Sequence, residues 1–83
     1  MIRVLYFAWM RERIGESGED VATDGLTTVA DLVEALRGRE DRYEAAFADM
    51  TAVRVAVDQK VATLDAPLAG AREVAFFPPM TGG

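Results

Sequence analysis

The chain has 83 residues, enough for one small domain with a single core, because at this size folding buries only somewhat over ~60% of the surface that the unfolded chain exposes. A hydrophobic fraction of 51% excludes a disordered chain, and the absence of Cys and His removes disulfides, a thiolate nucleophile, the commonest general base and a leading metal ligand. The net charge of −5 argues against nucleic acid, where cations must replace the counterions around phosphate, and suits a protein partner with a basic face.

Residues 2–7, Ile-Arg-Val-Leu-Tyr-Phe, predict a strand buried on both faces in the middle of a sheet. Residues 8–14 predict a short helical turn, with Met10 and Ile14 one turn apart and Gly15 as its stop. Val21 and Thr23 suggest a strand over 19–24. The clearest helix spans 29–37, where Val29, Leu32, Val33 and Leu36 form one apolar stripe. Thr28 is its N-cap, Asp31 completes a capping box in place of Glu, and Gly38 is expected to supply a left-handed stop. Tyr43, Ala46, Phe47 and Met50 make a second, shorter stripe. Strand character returns over 52–57, Asp58-Gln59-Lys60 reads as a turn, and 61–63 as a return strand. Pro67 bars a central strand there, and Val74, Phe76 and Phe77 mark a last strand over 73–77.

Strands both precede and follow one main helix, which predicts an α+β domain with a mixed sheet of about five strands and the helix on one face. The order fits a β-grasp, or ubiquitin-like, arrangement, in which the first and last strands are central and parallel. No apolar run approaches the ~18–20 residues of a membrane span, and the N-terminus lacks a signal-peptide pattern, so a cytoplasmic protein with no membrane association is expected. A carboxylate-only metal site would need converging acids, and the fourteen Asp and Glu are scattered over polar faces, so no metal or bound cofactor is expected. A self-contained enzyme is hard to build from this set of side chains.

The domain is expected to occupy 1–78, with an extended tail over 79–83. Pro78 and Pro79 cannot donate backbone hydrogen bonds and hold the chain extended, so the tail after Phe77 can reach on the order of 20 Å at roughly 3.3 Å per residue. Met80 and Thr81 lead to Gly82 and Gly83, which have no side chains and could enter a channel too narrow for other residues. With Gly at about 7% of residues, a closing Gly-Gly arises by chance in roughly one chain in two hundred. A proline pair and Gly-Gly following a buried strand make chance a poor explanation.

The stretch Val74-Ala75-Phe76-Phe77-Pro78-Pro79 leading to Thr81-Gly82-Gly83, the opening Val4-Leu5-Tyr6-Phe7-Ala8, and Arg11-Glu12 resemble the small subunits of molybdopterin synthase, a family of ubiquitin-like sulfur carriers. Thr28-Val29 and Pro67-Leu68 match as well, and the likeness covers essentially the whole chain. Asp58 departs from the family, which often has Asn at the start of that turn. The resemblance implies that Gly83 is adenylated with ATP by a ubiquitin-activating-like enzyme and converted to a thiocarboxylate. A persulfide on another protein would provide the sulfur. It further implies that the tail enters a large synthase subunit and donates sulfur to a cyclic pterin precursor, forming the molybdopterin dithiolene. The family's complex is a heterotetramer with two large subunits and a small one at each end.

Under that resemblance Gly83 bears the sulfur and Gly82 is the neighbour that fits. Phe7, Val61, Phe77, Pro78, Pro79, Met80, Thr81 and Arg11 are the expected partner-binding residues. Each of Phe7, Val61 and Phe77 also has a reading as core, Arg11 as a solvated helix arginine, and Trp9 as either an anchor or a lid over the core. Three rival functions remain: a sulfur carrier for thiamine or tRNA thiolation, a non-activated ubiquitin-like interaction domain, and ubiquitin-style conjugation to lysines of other proteins.

Overall fold

Alternating apolar side chains draw Ile2–Tyr6 into strand β1, which buries Ile2, Val4 and Tyr6 on one face. The structure, a computed structural model, describes residues 1–79. Helix α1 (Trp9–Ile14), β2 (Gly18–Val21), α2 (Val29–Arg37) and α3 (Asp41–Ala46) follow, then a 3₁₀ turn at Met50–Ala52, β3 (Arg54–Val57), β4 (Lys60–Ala62) and β5 (Glu73–Phe77). The sheet order is β2-β1-β5-β3-β4. β1 and β5 run parallel, with Tyr6 opposite Phe76, and all other neighbours are antiparallel. The expected class and the central, parallel first and last strands are therefore present.

The helices lie on one face. Val29, Leu32, Val33 and Leu36 of α2 join Val4, Tyr6, Val74 and Phe76 in the core, with Met10 and Ile14 of α1 and Tyr43 and Phe47 from the α3 region. Phe76 is at its centre, its ring 5.0 Å edge-on from Phe47 and stacked 6.3 Å from Tyr6. Among the described residues nothing covers the other face. Arg3 is exposed and Leu5 half-buried, so β1 is buried on one side only, which corrects the expectation of burial on both.

Local chemistry explains the remaining boundaries. The α2 capping box is formed: Thr28 Oγ1 accepts from Asp31 N at 3.3 Å, and Asp31 Oδ2 accepts from Thr28 N at 3.1 Å. Gly15 ends α1 with φ 87° in the left-handed region, but Gly38 has φ −77° and is right-handed. After Gly38 the chain reverses through Glu40, extended at φ −155°, and needs no left-handed residue. β2 runs over 18–21 instead of 19–24, because its ladder with β1 reaches from Gly18 opposite Leu5 to Val21 opposite Ile2, leaving Thr23 O to accept a turn hydrogen bond from Leu26 N. β3 starts later, since Asp49 accepts from Thr51 N and winds 50–52 into the 3₁₀ turn. Asp58 and Gln59 alone make the β3–β4 turn, both at positive φ, and Asp58 Oδ1 fastens it to β5 by accepting from Arg72 N and Glu73 N at 2.9 and 3.0 Å. Asp serves this role because it tolerates the left-handed region and offers the acceptor.

One ionic cluster closes the edge of the core. Glu19 Oε2 accepts from the hydroxyls of Tyr6 and Tyr43 at 2.9 and 2.7 Å, and Oε1 accepts from Arg39 at 2.7 Å. Burial alone would raise the Glu19 pKa, but the bonds from Tyr43, Arg39 and Tyr6 outweigh it and hold the carboxyl below its ordinary 4.5. Burial, reinforced by the Glu19 charge, pushes both tyrosine hydroxyls up. A depressed carboxyl stabilises the fold at pH above about 4.5, and that contribution is lost as pH falls through the lower folded-state value. Glu19→Gln should cost about 1–3 kcal/mol in urea unfolding at neutral pH, the usual scale for hydrogen bonds to a charged group, with the gap to the parent narrowing at acid pH.

Ala8, between β1 and α1, has φ 56° and ψ −132°, a conformation that L side chains rarely adopt. Holding it there costs of order 1–3 kcal/mol, more than the entropy that a glycine would add to the unfolded chain. Ala8→Gly should therefore raise the thermal midpoint, the reverse of what that substitution does in ordinary backbone.

Candidate functional site

The register of the sheet assembles the site. Odd-numbered residues of β1 and β5 face away from the helices, so Leu5 lies beside Ala75, Ala75 beside Ala56, and Ala56 beside Val61. Ala75 and Ala56 are small and buried beneath their neighbours, which keeps the middle of this face low and flat. Val61 stands out from it at 79% exposed.

The next row, at the C-terminal end of both central strands, is Phe7, Phe77 and Arg54. Phe7 N donates to Phe76 O at 3.1 Å, continuing the parallel ladder one residue past β1, and Phe7 is 47% exposed. Phe77 is half-buried and opposite Arg54. Pro78 and Pro79 leave from this row and are half-buried, and without N–H groups they cannot extend the sheet. Met80, Thr81, Gly82 and Gly83 lie outside the described residues. Of the residues named from the sequence, Phe7, Val61, Phe77, Pro78 and Pro79 thus share one apolar face and its rim. Arg11 is exposed on α1, which begins two residues after Phe7.

Trp9 is half-buried against the core with the Arg13 guanidinium 5.3 Å over its ring, which makes it a lid. Arg54 was not singled out from the sequence, although its alternation with Val53 and Val55 already set it on the side opposite the core. A cleft of about 420 Å³ lined by Ile2, Leu26 and Leu68 lies at the other end of the sheet, away from Phe7 and Phe77. Among the described residues no helix is long and apolar enough to cross a membrane, and no three His, Cys, Asp or Glu side chains gather as a metal site would require.

An apolar sheet face that the described residues leave open, beside a proline pair that cannot continue the sheet, is suited to docking another protein. Comparisons with known proteins agree with this architecture. The molybdopterin synthase sulfur carrier subunit of Escherichia coli is 42% identical over 83 residues, covering all of both chains. The solved structure of small archaeal modifier protein 1 from Haloferax volcanii superposes with a TM-score of 0.77 at 30% identity, covering 95% of this chain and 97% of that one. A putative molybdopterin converting factor, subunit 1, from Pyrococcus furiosus gives a TM-score of 0.76 at 27% identity, with 95% and 97% covered. The ThiS family model matches residues 4–83, so that, on sequence and fold together, the chain belongs to the ThiS family.

Proposed function

We propose that this chain is the sulfur carrier subunit of a molybdopterin synthase and that Gly83 bears the transferred sulfur. The observation that carries the reading is the 42% identity with the Escherichia coli subunit of that name along the whole of both chains. The apolar face around Phe7, Phe77 and Val61 supports it, because a carrier must be recognised by partners that handle its end.

A carboxylate is a poor electrophile, since its leaving group would be oxide. The Gly83 carboxylate attacks the α-phosphate of ATP on a ubiquitin-activating-like enzyme, pyrophosphate leaves, and AMP becomes the leaving group. The outer sulfur of a protein persulfide then attacks the carbonyl carbon and expels AMP, leaving an acyl disulfide. A thiol on the donor side cleaves its S–S bond, becoming a protein disulfide and releasing the thiocarboxylate. With no Cys in this chain, that persulfide belongs to another protein. The resulting thiocarboxylate is ionised at neutral pH and nucleophilic through sulfur. The loaded tail enters the large subunit, where a cyclic pterin precursor receives the sulfur. A dithiolene needs two sulfurs, so two loaded carriers serve each product. The large subunit provides acid–base groups and the substrate pocket, and this chain binds no cofactor of its own. This reading places the chain in the cytoplasm, where ATP is at hand for the loading step.

The likeness to small archaeal modifier protein 1 favours one second reading, conjugation of Gly83 to lysines of target proteins. Both begin with the adenylate. They part at the product, a free thiocarboxylate in one case and an isopeptide in the other.

Deleting Gly83, or making Gly82→Leu, should leave the thermal midpoint unchanged. In a mixture of adenylating enzyme, sulfur source, large subunit and pterin precursor, each variant should lower dithiolene formation by at least about 100-fold, since small misplacements of reacting groups cost that much. Dithiolene formation at parental rates would overturn the reading, and isopeptide adducts with the parent chain would favour the modifier.

A further inference from the structure

The open face is electrically polarised. At the N-terminal end of the central strands the row runs Asp20, Arg3, Glu73, Asp58 across β2, β1, β5 and the β3–β4 turn. That row itself holds three carboxylates and one guanidinium, Arg3, paired with Asp20 at 3.4 Å, while Arg72 lies beside Asp58 and Glu73. The middle rows are apolar. At the exit end the row is Phe7, Phe77 and Arg54, and its one charge is positive.

Arg54 is exposed and has no salt-bridge partner among the described residues. Its Nη1 donates to the carbonyls of Thr51 and Val53 at 3.1 and 3.2 Å, which anchors the head group without neutralising it. By contrast Arg37, Arg39 and Arg42 each hold a glutamate. Arg11, exposed on α1 close to Phe7 in the chain, likewise has no carboxylate partner among the described residues. In a chain of net charge −5, the row of this face from which the tail leaves thus carries a cation, Arg54, beside two aromatic residues.

We propose that this face takes a partner protein whose own surface is apolar in the middle and carries carboxylates over Arg54, and that Arg54 steers the carrier so that its tail arrives first. This rests on the functional reading above and takes the large synthase subunit as that partner. It reverses, for this face, the expectation of a basic partner drawn from net charge, because encounter is governed by local potential within a Debye length of about 10 Å at ordinary ionic strength. Charges at the rim of an interface act chiefly on the association rate and its salt dependence, whereas the apolar centre sets the dissociation rate.

The test is stopped-flow association of the full chain with the large subunit, at low and high salt, for the parent, Arg54→Ala, Arg54→Glu and Arg72→Glu. Arg72 is exposed at the opposite end, so Arg72→Glu makes the same change in net charge away from the exit. We expect Arg54→Glu to slow association on the order of tenfold at low salt with a nearly unchanged dissociation rate, Arg54→Ala to fall between, and high salt to erase the difference. Arg72→Glu should change the rate by less than about twofold. Parental association by Arg54→Glu, or an equal loss in Arg72→Glu, would overturn the steering role alone. Failure of the parent to bind the large subunit would overturn the functional reading and this assignment with it.

Discussion

The parallel pairing of β1 with β5 is the constraint on which the rest depends. An antiparallel pair would put the ends of the two strands at opposite edges of the sheet. Because these run side by side in the same direction, Phe7 and Phe77 finish in one row, and both α1 and the proline pair leave from that row. Parallel partners need a long connection, and here it is most of the chain, including the main helix α2. The same pairing therefore builds the core on one face and sets out the exit on the other.

The one-sided helical layer has a consequence for function. In a domain of this size there is only enough apolar surface for one core, and Phe76, Phe47, Tyr6 and the α2 stripe use it. The second face is left to alanines and a few larger apolar groups. Ala56 and Ala75 keep it shallow, and Val61 and Phe7 project from it. Such a surface gains little from water and much from a partner that covers it. The proposed function, in which a carrier visits more than one protein, is well served by a rigid body with one sticky side, since little conformational entropy is lost at each docking.

Much of this was legible in the sequence where local and tertiary preferences agree. The α2 stripe, its Thr28–Asp31 cap and the apolar run of β5 were all read at their observed limits. Legibility failed where a partner strand or a single side chain decides. The β2 ladder stops at Val21 because Ile2, the first residue of β1, is opposite it, and no local feature of 19–24 says so. Residues 50–52 turn because the Asp49 carboxylate reaches Thr51. Gly38 looked like a left-handed stop, but the chain turns two residues later through an extended Glu40. The open face was half legible. Alternation alone put Arg54 with Ala56, but only the register set it beside Phe77, and aromatic residues in a small domain read as core until the sheet shows which side they take.

The missing residue types complete the argument. Without Cys or His the chain lacks the commonest nucleophile and proton shuttle, and the proposed function puts the chemistry on Gly83, charged by another protein. Intact-mass measurement of the chain after incubation with ATP, the adenylating enzyme and a persulfide donor asks this directly. The account predicts a gain equal to the replacement of one oxygen atom by one sulfur, located by fragmentation on Gly83. An unchanged mass, or sulfur found on any other residue, would contradict it.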